Sequence, residues 1–212
     1  MSLAQAIGRQ LEHPHGVGGW LTGHAMRIAN RRPTALAIDA LAVESGDAVL
    51  DLGCGAGDAL GRLARKACSG VVHGLDQSDI MLAQATKRDT AQVTTGKIVL
   101  ASGSFIALPY PDASFDRILA SNVLYFWREP HAVLREVLRV LKPGGRLTIY
   151  VTDGVEMANW SFVRHGTHRL YDLAALNRLI ATAQGVAAFD CIRVPVGFGI
   201  HGLIATLDRS LQ

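Results

Sequence analysis

The sequence predicts an α/β protein whose sheet is mostly parallel and covered by helices on both faces. Three observations carry this. From Ala48 onward, short apolar runs alternate with segments of helical period. A glycine-rich turn follows the first run. Near the end of the chain the alternation stops, leaving two strand-like runs with only a short loop between them.

The first 45 residues read differently from the rest. His13 to Gly19 is rich in structure breakers, Trp20 to Ala29 can form a helix, and Pro33 can open a second one. Ala35, Leu36, Ile38, Leu41 and Ala42 would form that second helix's apolar face. Ala48 to Leu52 reads as a buried strand, and Asp58 to Ala67 as the helix after the glycine turn. Val71 to Leu75 is a second strand, and Ser78 caps a helix running to about Lys87. Lys97 to Ala101 and Phe115 to Ala120 are the third and fourth strands. Pro130 starts a helix with Val133, Leu134, Val137, Leu138 and Leu141 on one face. Pro143, Gly144 and Gly145 stop it, ahead of a fifth strand from Arg146 to Thr152. A helix from about Asp172 to Gln184 precedes strands around Asp190 to Val194 and Gly202 to Leu207, which should pair antiparallel. Right-handed crossovers make the preceding strands parallel.

Composition narrows the class. The 212 residues are 49% hydrophobic and 18% charged, which suits one globular domain with a single core. No apolar run approaches the roughly 20 residues of a membrane span, and no secretory signal opens the chain, so a cytoplasmic location is expected. The net charge of +3 comes from scattered basic residues, which disfavours a nucleic-acid partner. Cys54, Cys68 and Cys191 form no pair motif, and no metal-ligand spacing occurs, so reduced thiols and no metal are expected. We read residues 1–212 as one domain, with 1–45 a helical cap or lid and 46–212 the α/β core.

The turn Asp51-Leu52-Gly53-Cys54-Gly55-Ala56-Gly57 lies where open α/β sheets bind ligands, at the carboxyl end of the first strand. Its G-x-G-x-G spacing is not the G-x-G-x-x-G of dinucleotide sites. Asp51, just before the glycines, would repel a pyrophosphate and attract a ligand carrying positive charge. S-adenosylmethionine, with its ammonium and sulfonium groups, is such a ligand. Asp76 ends the second strand, where an acid can accept hydrogen bonds from both ribose hydroxyls.

Together these residues resemble the class I methyltransferases, in particular small-molecule enzymes similar to the ubiquinone-biosynthesis C-methyltransferases. Gly103-Ser104-Phe105-Ile106-Ala107-Leu108-Pro109-Tyr110-Pro111-Asp112-Ala113-Ser114-Phe115-Asp116 is similar to the family's G-D-A-x-x-L-P-F-x-D-x-S-F-D segment. Leu138 to Gly145 matches its L-R-V-L-K-P-G-G turn. The resemblance implies a Rossmann-like three-layer αβα sandwich, with a seven-stranded, mostly parallel sheet and an antiparallel C-terminal strand. It implies S-adenosylmethionine as cofactor and S-adenosylhomocysteine as product. Asp51, Leu52, Gly53, Cys54, Gly55 and Gly57 would surround the methionine part and Asp76 would hold the ribose. Gln77, Met81, Gly103, Ser104 and Phe105 would border the adenine. Ser104 stands where the family usually has Asp, replacing a charged acceptor by a neutral one.

Ser121 and Asn122 follow the fourth strand and would face the sulfonium, with Tyr125 and Trp127 as substrate-pocket walls. Trp20 and His24 would contact the acceptor from the N-terminal cap, and His168 from the stretch after the fifth strand. His24 and His168 are the candidate bases, needed only where the acceptor must lose a proton. The expected partner is a small-molecule acceptor, hydrophobic or aromatic in character, and the expected assembly a monomer or homodimer. Two alternatives remain open: a fold that binds cofactor or a partner without turnover, and transfer to a lipid-like acceptor at a membrane surface.

Overall fold

The protein's structure, a computed structural model, describes residues 30–158, 169–197 and 199–211. The expected cap segment with Trp20 and His24, and His168, lie outside the described residues. Helix α1, over 30–41, is already formed at residue 30, ahead of Pro33. Thr34, Ala37, Ile38 and Leu41 are its buried stripe. That stripe is rotated from the expected face: Ala42 is exposed and leaves the helix at φ +53.

The sheet has seven strands: β1 (Val49–Leu52), β2 (Val72–Asp76), β3 (Ile98–Ser102), β4 (Phe115–Ser121), β5 (Leu141–Thr152), β6 (Val186–Gly197) and β7 (Ile200–Arg209). Their order is β3-β2-β1-β4-β5-β7-β6. The first five are parallel, and β7 runs antiparallel between β5 and β6. Between them lie α2 (Leu60–Lys66), α3 (Asp79–Arg88), α4 (Thr90–Thr94), α5 (Pro130–Val140), α6 (Gly154–Met157) and α7 (Leu173–Ala181). The expected α/β sandwich with an antiparallel C-terminal strand is therefore the observed fold.

β1 is buried along its whole length, as a central parallel strand should be. Successive side chains point to opposite faces. Leu50 and Leu52 join the core under α5 with Val133, Leu134 and Val137. Val49 joins the opposite core with Ala37, Ile38 and Leu41 of α1 and Leu60 and Leu63 of α2. Asp51, two residues beyond Val49, points to that same α1 side.

The fifth strand begins at Leu141, not Arg146, because Leu141 pairs with Phe115 before the register shifts and resumes at Arg117 and Arg146. Pro143 to Gly145 thus form an irregularity inside the strand rather than a turn before it. The two segments that carry the family resemblance also touch. Arg139 donates to the carbonyls of Leu108 and Tyr110 and pairs with Asp112, while Glu136 accepts from the Leu108 amide. This pins the loop between β3 and β4 to α5.

Candidate functional site

A cavity of about 640 Å³ opens at the carboxyl ends of β1, β2 and β4. The glycine turn forms its floor. Gly53 and Cys54 both donate their amides to the Leu75 carbonyl, at 2.8 and 3.1 Å, tying the turn to the end of β2. Gly53 has φ +73, and a Cβ there would lie 2.3 Å from Val123 Cγ2, so the position requires glycine on two counts.

Asp76 organises the rest of the floor. Its Oδ2 accepts from the Gly55 amide and its Oδ1 from the Ser78 amide, both at 2.9 Å. Ser78 in turn caps α3 through the Met81 amide. Each carboxylate oxygen keeps a lone-pair site for another donor.

Asp51 is 3% exposed on the cavity wall and forms no ion pair among the described residues. Burial pushes its pKa up to about 7, reinforced by the charges of Asp76 and Asp58. A buried carboxylate close to other carboxylates is a site that a positively charged ligand relieves. Cys54 lies against the same charges, and burial first, then Asp51 and Asp76, push its thiol upward; it is a neutral wall residue.

Of the residues expected at the cofactor, Asp51, Gly53, Cys54, Gly55, Asp76, Gln77, Met81, Phe105, Ser121 and Asn122 all line this one cavity. Leu52 does not: its side chain is fully buried in the α5-side core. Gly57 lines a neighbouring cavity, and Gly103 and Ser104 line a shallow recess that shares Gln77. Tyr125 and Trp127, expected as pocket walls, lie in the core beneath the site, 7% and 2% exposed.

The reason is local. Asn122 adopts φ +56, a conformation Asn tolerates better than most residues, and donates its amide to the Tyr150 carbonyl. The chain then makes a single tight turn over Leu124–Phe126. That turn sends Tyr125 inward, where its hydroxyl accepts from the Thr152 amide and reaches Asn122 Oδ1. Phe126 is left 59% exposed at the cavity. Phe126, rather than the expected Tyr125 and Trp127, is thus the aromatic that this turn presents to the cavity. Asn30 and Thr34, outside the expected site residues, are brought to the cavity wall by α1; Asn30 Oδ1 accepts from Asn122 Nδ2 at 3.4 Å. The helical period of α1 carried the signal for Thr34, one turn before Ile38.

With a nucleotide-sized cavity, a glycine floor and two placed carboxylates, the residues present fit a cationic nucleoside ligand. Comparison with known proteins agrees. Residues 50–149 match the family described as "Methyltransferase domain". The chain is 34% identical to 27-O-demethylrifamycin SV methyltransferase of Amycolatopsis mediterranei, over 69% of this chain and 53% of that protein. It is 31% identical to the ubiquinone/menaquinone biosynthesis C-methyltransferase of Roseobacter denitrificans, over 71% and 57%. The chain spans about half the length of the curated relatives it matches. Its fold matches a SAM-dependent methyltransferase of Aquifex aeolicus at a TM-score of 0.69 and 20% identity, covering 98% of this chain and 100% of that one. Sequence match and fold converge: residues 50–149 carry a methyltransferase domain, and the chain is similar to class I S-adenosylmethionine-dependent methyltransferases.

Proposed function

We propose that the protein transfers the methyl group of S-adenosylmethionine to a small-molecule acceptor of hydrophobic or aromatic character. The buried Asp51 carboxylate beside the glycine floor is the observation that carries this reading, since it favours a cationic ligand over a pyrophosphate. In the proposed arrangement Asp51 and the turn from Gly53 to Gly55 hold the methionine end. Asp76 accepts from the ribose hydroxyls, and Gln77, Met81 and Phe105 enclose the adenine, with Gly103 and Ser104 at its outer edge.

When bound, S-adenosylmethionine would supply an activated methyl carbon for in-line attack by the acceptor, with the thioether as leaving group. The chain's own part is placement. Ser121, Asn122 and Phe126 would flank the reacting end, and holding two groups in line can lower the barrier by up to about 7–11 kcal/mol. A Phe126 ring presented to the reacting end would attract a sulfonium. Residues 1–45 are proposed to cap this cleft, with Trp20, His24 and His168 as acceptor contacts and either histidine able to take a proton from a phenol or alcohol. One named relative is a 27-O-demethylrifamycin SV methyltransferase and the other a C-methyltransferase of ubiquinone and menaquinone biosynthesis, which supports a small, ring-bearing acceptor.

The test is an assay of S-adenosylhomocysteine release against phenols, quinols, amines and thiols. Turnover on ring-bearing acceptors is expected. Tight cofactor binding with no turnover on any of them would favour a binding protein instead.

A further inference from the structure

Beside the cofactor cavity lies a second one, of about 530 Å³, that no part of the proposed reaction uses. Its size is that of a small-ligand site. Arginines far apart in sequence meet on it: Arg31 from α1, Arg62 and Arg65 from one face of α2, and Arg88 from the end of α3. The scattered basic residues of the sequence are therefore concentrated by the fold.

Two carboxylates, Asp58 and Asp89, face these four guanidinium groups. Arg88 pairs with Asp58 and donates to the Ala56 carbonyl. Arg31, Arg62 and Arg65 form no ion pair among the described residues, and Arg62 Nη1 is held by the Arg31 carbonyl at 3.1 Å. The other carboxylate on the wall, Asp89, is 9% exposed, and its Oδ2 is buried with no hydrogen-bond partner. Burial raises its carboxyl pKa, while the neighbouring charges of Arg88 and Arg65 pull it partly back down. Gly61 leaves the room for this side chain: a Cβ there would sit 2.8 Å from Asp89 Oδ1.

We propose that this cavity binds a small oxyanion, a phosphate or carboxylate group, between the guanidinium groups of Arg62 and Arg65 with Arg31 and Arg88 at its sides. Guanidinium forks match both groups with paired hydrogen bonds. The site is separate from the cofactor's, yet Asn30, Thr34 and Asp58 lie on the walls of both cavities. An organic ligand anchored by its anionic group could therefore extend towards the cleft.

Calorimetric titration of the full chain with inorganic phosphate and with phenyl phosphate tests this. Each titration is run alone and in saturating S-adenosylhomocysteine, on the wild type and on the Arg62→Ala, Arg65→Ala double variant. We expect binding to the wild type that survives S-adenosylhomocysteine, and at least tenfold weaker binding to the double variant. The variant's affinity for S-adenosylhomocysteine should stay within twofold, which separates this site from the cofactor reading. Tighter binding of phenyl phosphate assigns the oxyanion to an organic ligand, and equal binding to a free ion. If the double variant melts early, Arg62→Gln is read in its place. Absence of wild-type binding, binding unchanged in the variants, or complete displacement by S-adenosylhomocysteine overturns the proposal.

Discussion

The Gly55 amide donates to Asp76 Oδ2 at 2.9 Å, so the acid expected at the ribose also fixes the glycine turn expected at the methionine end. One side chain thus shapes two parts of the site. Replacing Asp76 by Ala removes both the ribose acceptor and the partner of the turn. S-adenosylhomocysteine affinity should fall at least tenfold, following the loss of hydrogen bonds to a charged group worth about 1.5–3 kcal/mol each. Isothermal titration checks this, and an affinity within twofold of wild type would contradict it.

Asp51 sets a pH dependence. With a pKa of about 7 in the free protein, it is largely neutral at pH 6 and largely charged at pH 8. A cationic ligand favours the charged form, so S-adenosylmethionine affinity should rise between pH 6 and 8, with proton release on binding below pH 7. Titrations in buffers of different ionisation enthalpy measure that proton. An Asp51→Asn variant should bind weakly, release none and show a flat profile.

The same residue opposes stability. A folded-state pKa raised from 3.8 to about 7 means that Asp51's contribution is most favourable below about pH 4 and is lost as pH rises through about 7. Asp51→Asn should therefore raise the melting temperature of the ligand-free protein at pH 8 and change it little at pH 4. A lower melting temperature at pH 8 would show that Asp51 holds the fold together rather than waiting for a ligand.

Tyr125 links the site to the sheet through the Thr152 amide and Asn122 Oδ1. Tyr125→Phe leaves the Thr152 amide without this acceptor, a loss of about 1–3 kcal/mol. Urea denaturation should show a lower midpoint with an unchanged slope.

Gly53→Ala should be destabilising and should also impair binding. The new Cβ meets Val123 Cγ2 at 2.3 Å, and φ +73 is unfavourable for alanine. A loss of more than about 1 kcal/mol is expected by the same denaturation assay.

Local chemistry made much of this fold legible in the sequence. The run from Ala48 to Leu52, the Ser78 cap and the Pro130 start each declare an element through neighbouring residues, and the structure places each close to where it is read. The acid-and-glycine turn was legible for the same reason. What stayed hidden depends on backbone turns and on distance. No local pattern shows that Asn122 adopts φ +56, and that turn decides that Phe126 rather than Tyr125 or Trp127 meets the cavity. Nor does sequence spacing show Arg31, Arg62, Arg65 and Arg88 facing one cavity, because three helices must pack before they meet.

The central claim is that Asp51 and its glycine turn hold a cationic nucleoside cofactor. Titrating S-adenosylmethionine and NAD separately into the wild type and Asp51→Ala at pH 8 tests it most directly. The account predicts that S-adenosylmethionine binds the wild type, binds Asp51→Ala at least tenfold more weakly, and that NAD binds neither. Binding of NAD in preference to S-adenosylmethionine, or equal S-adenosylmethionine affinity in both proteins, would contradict it.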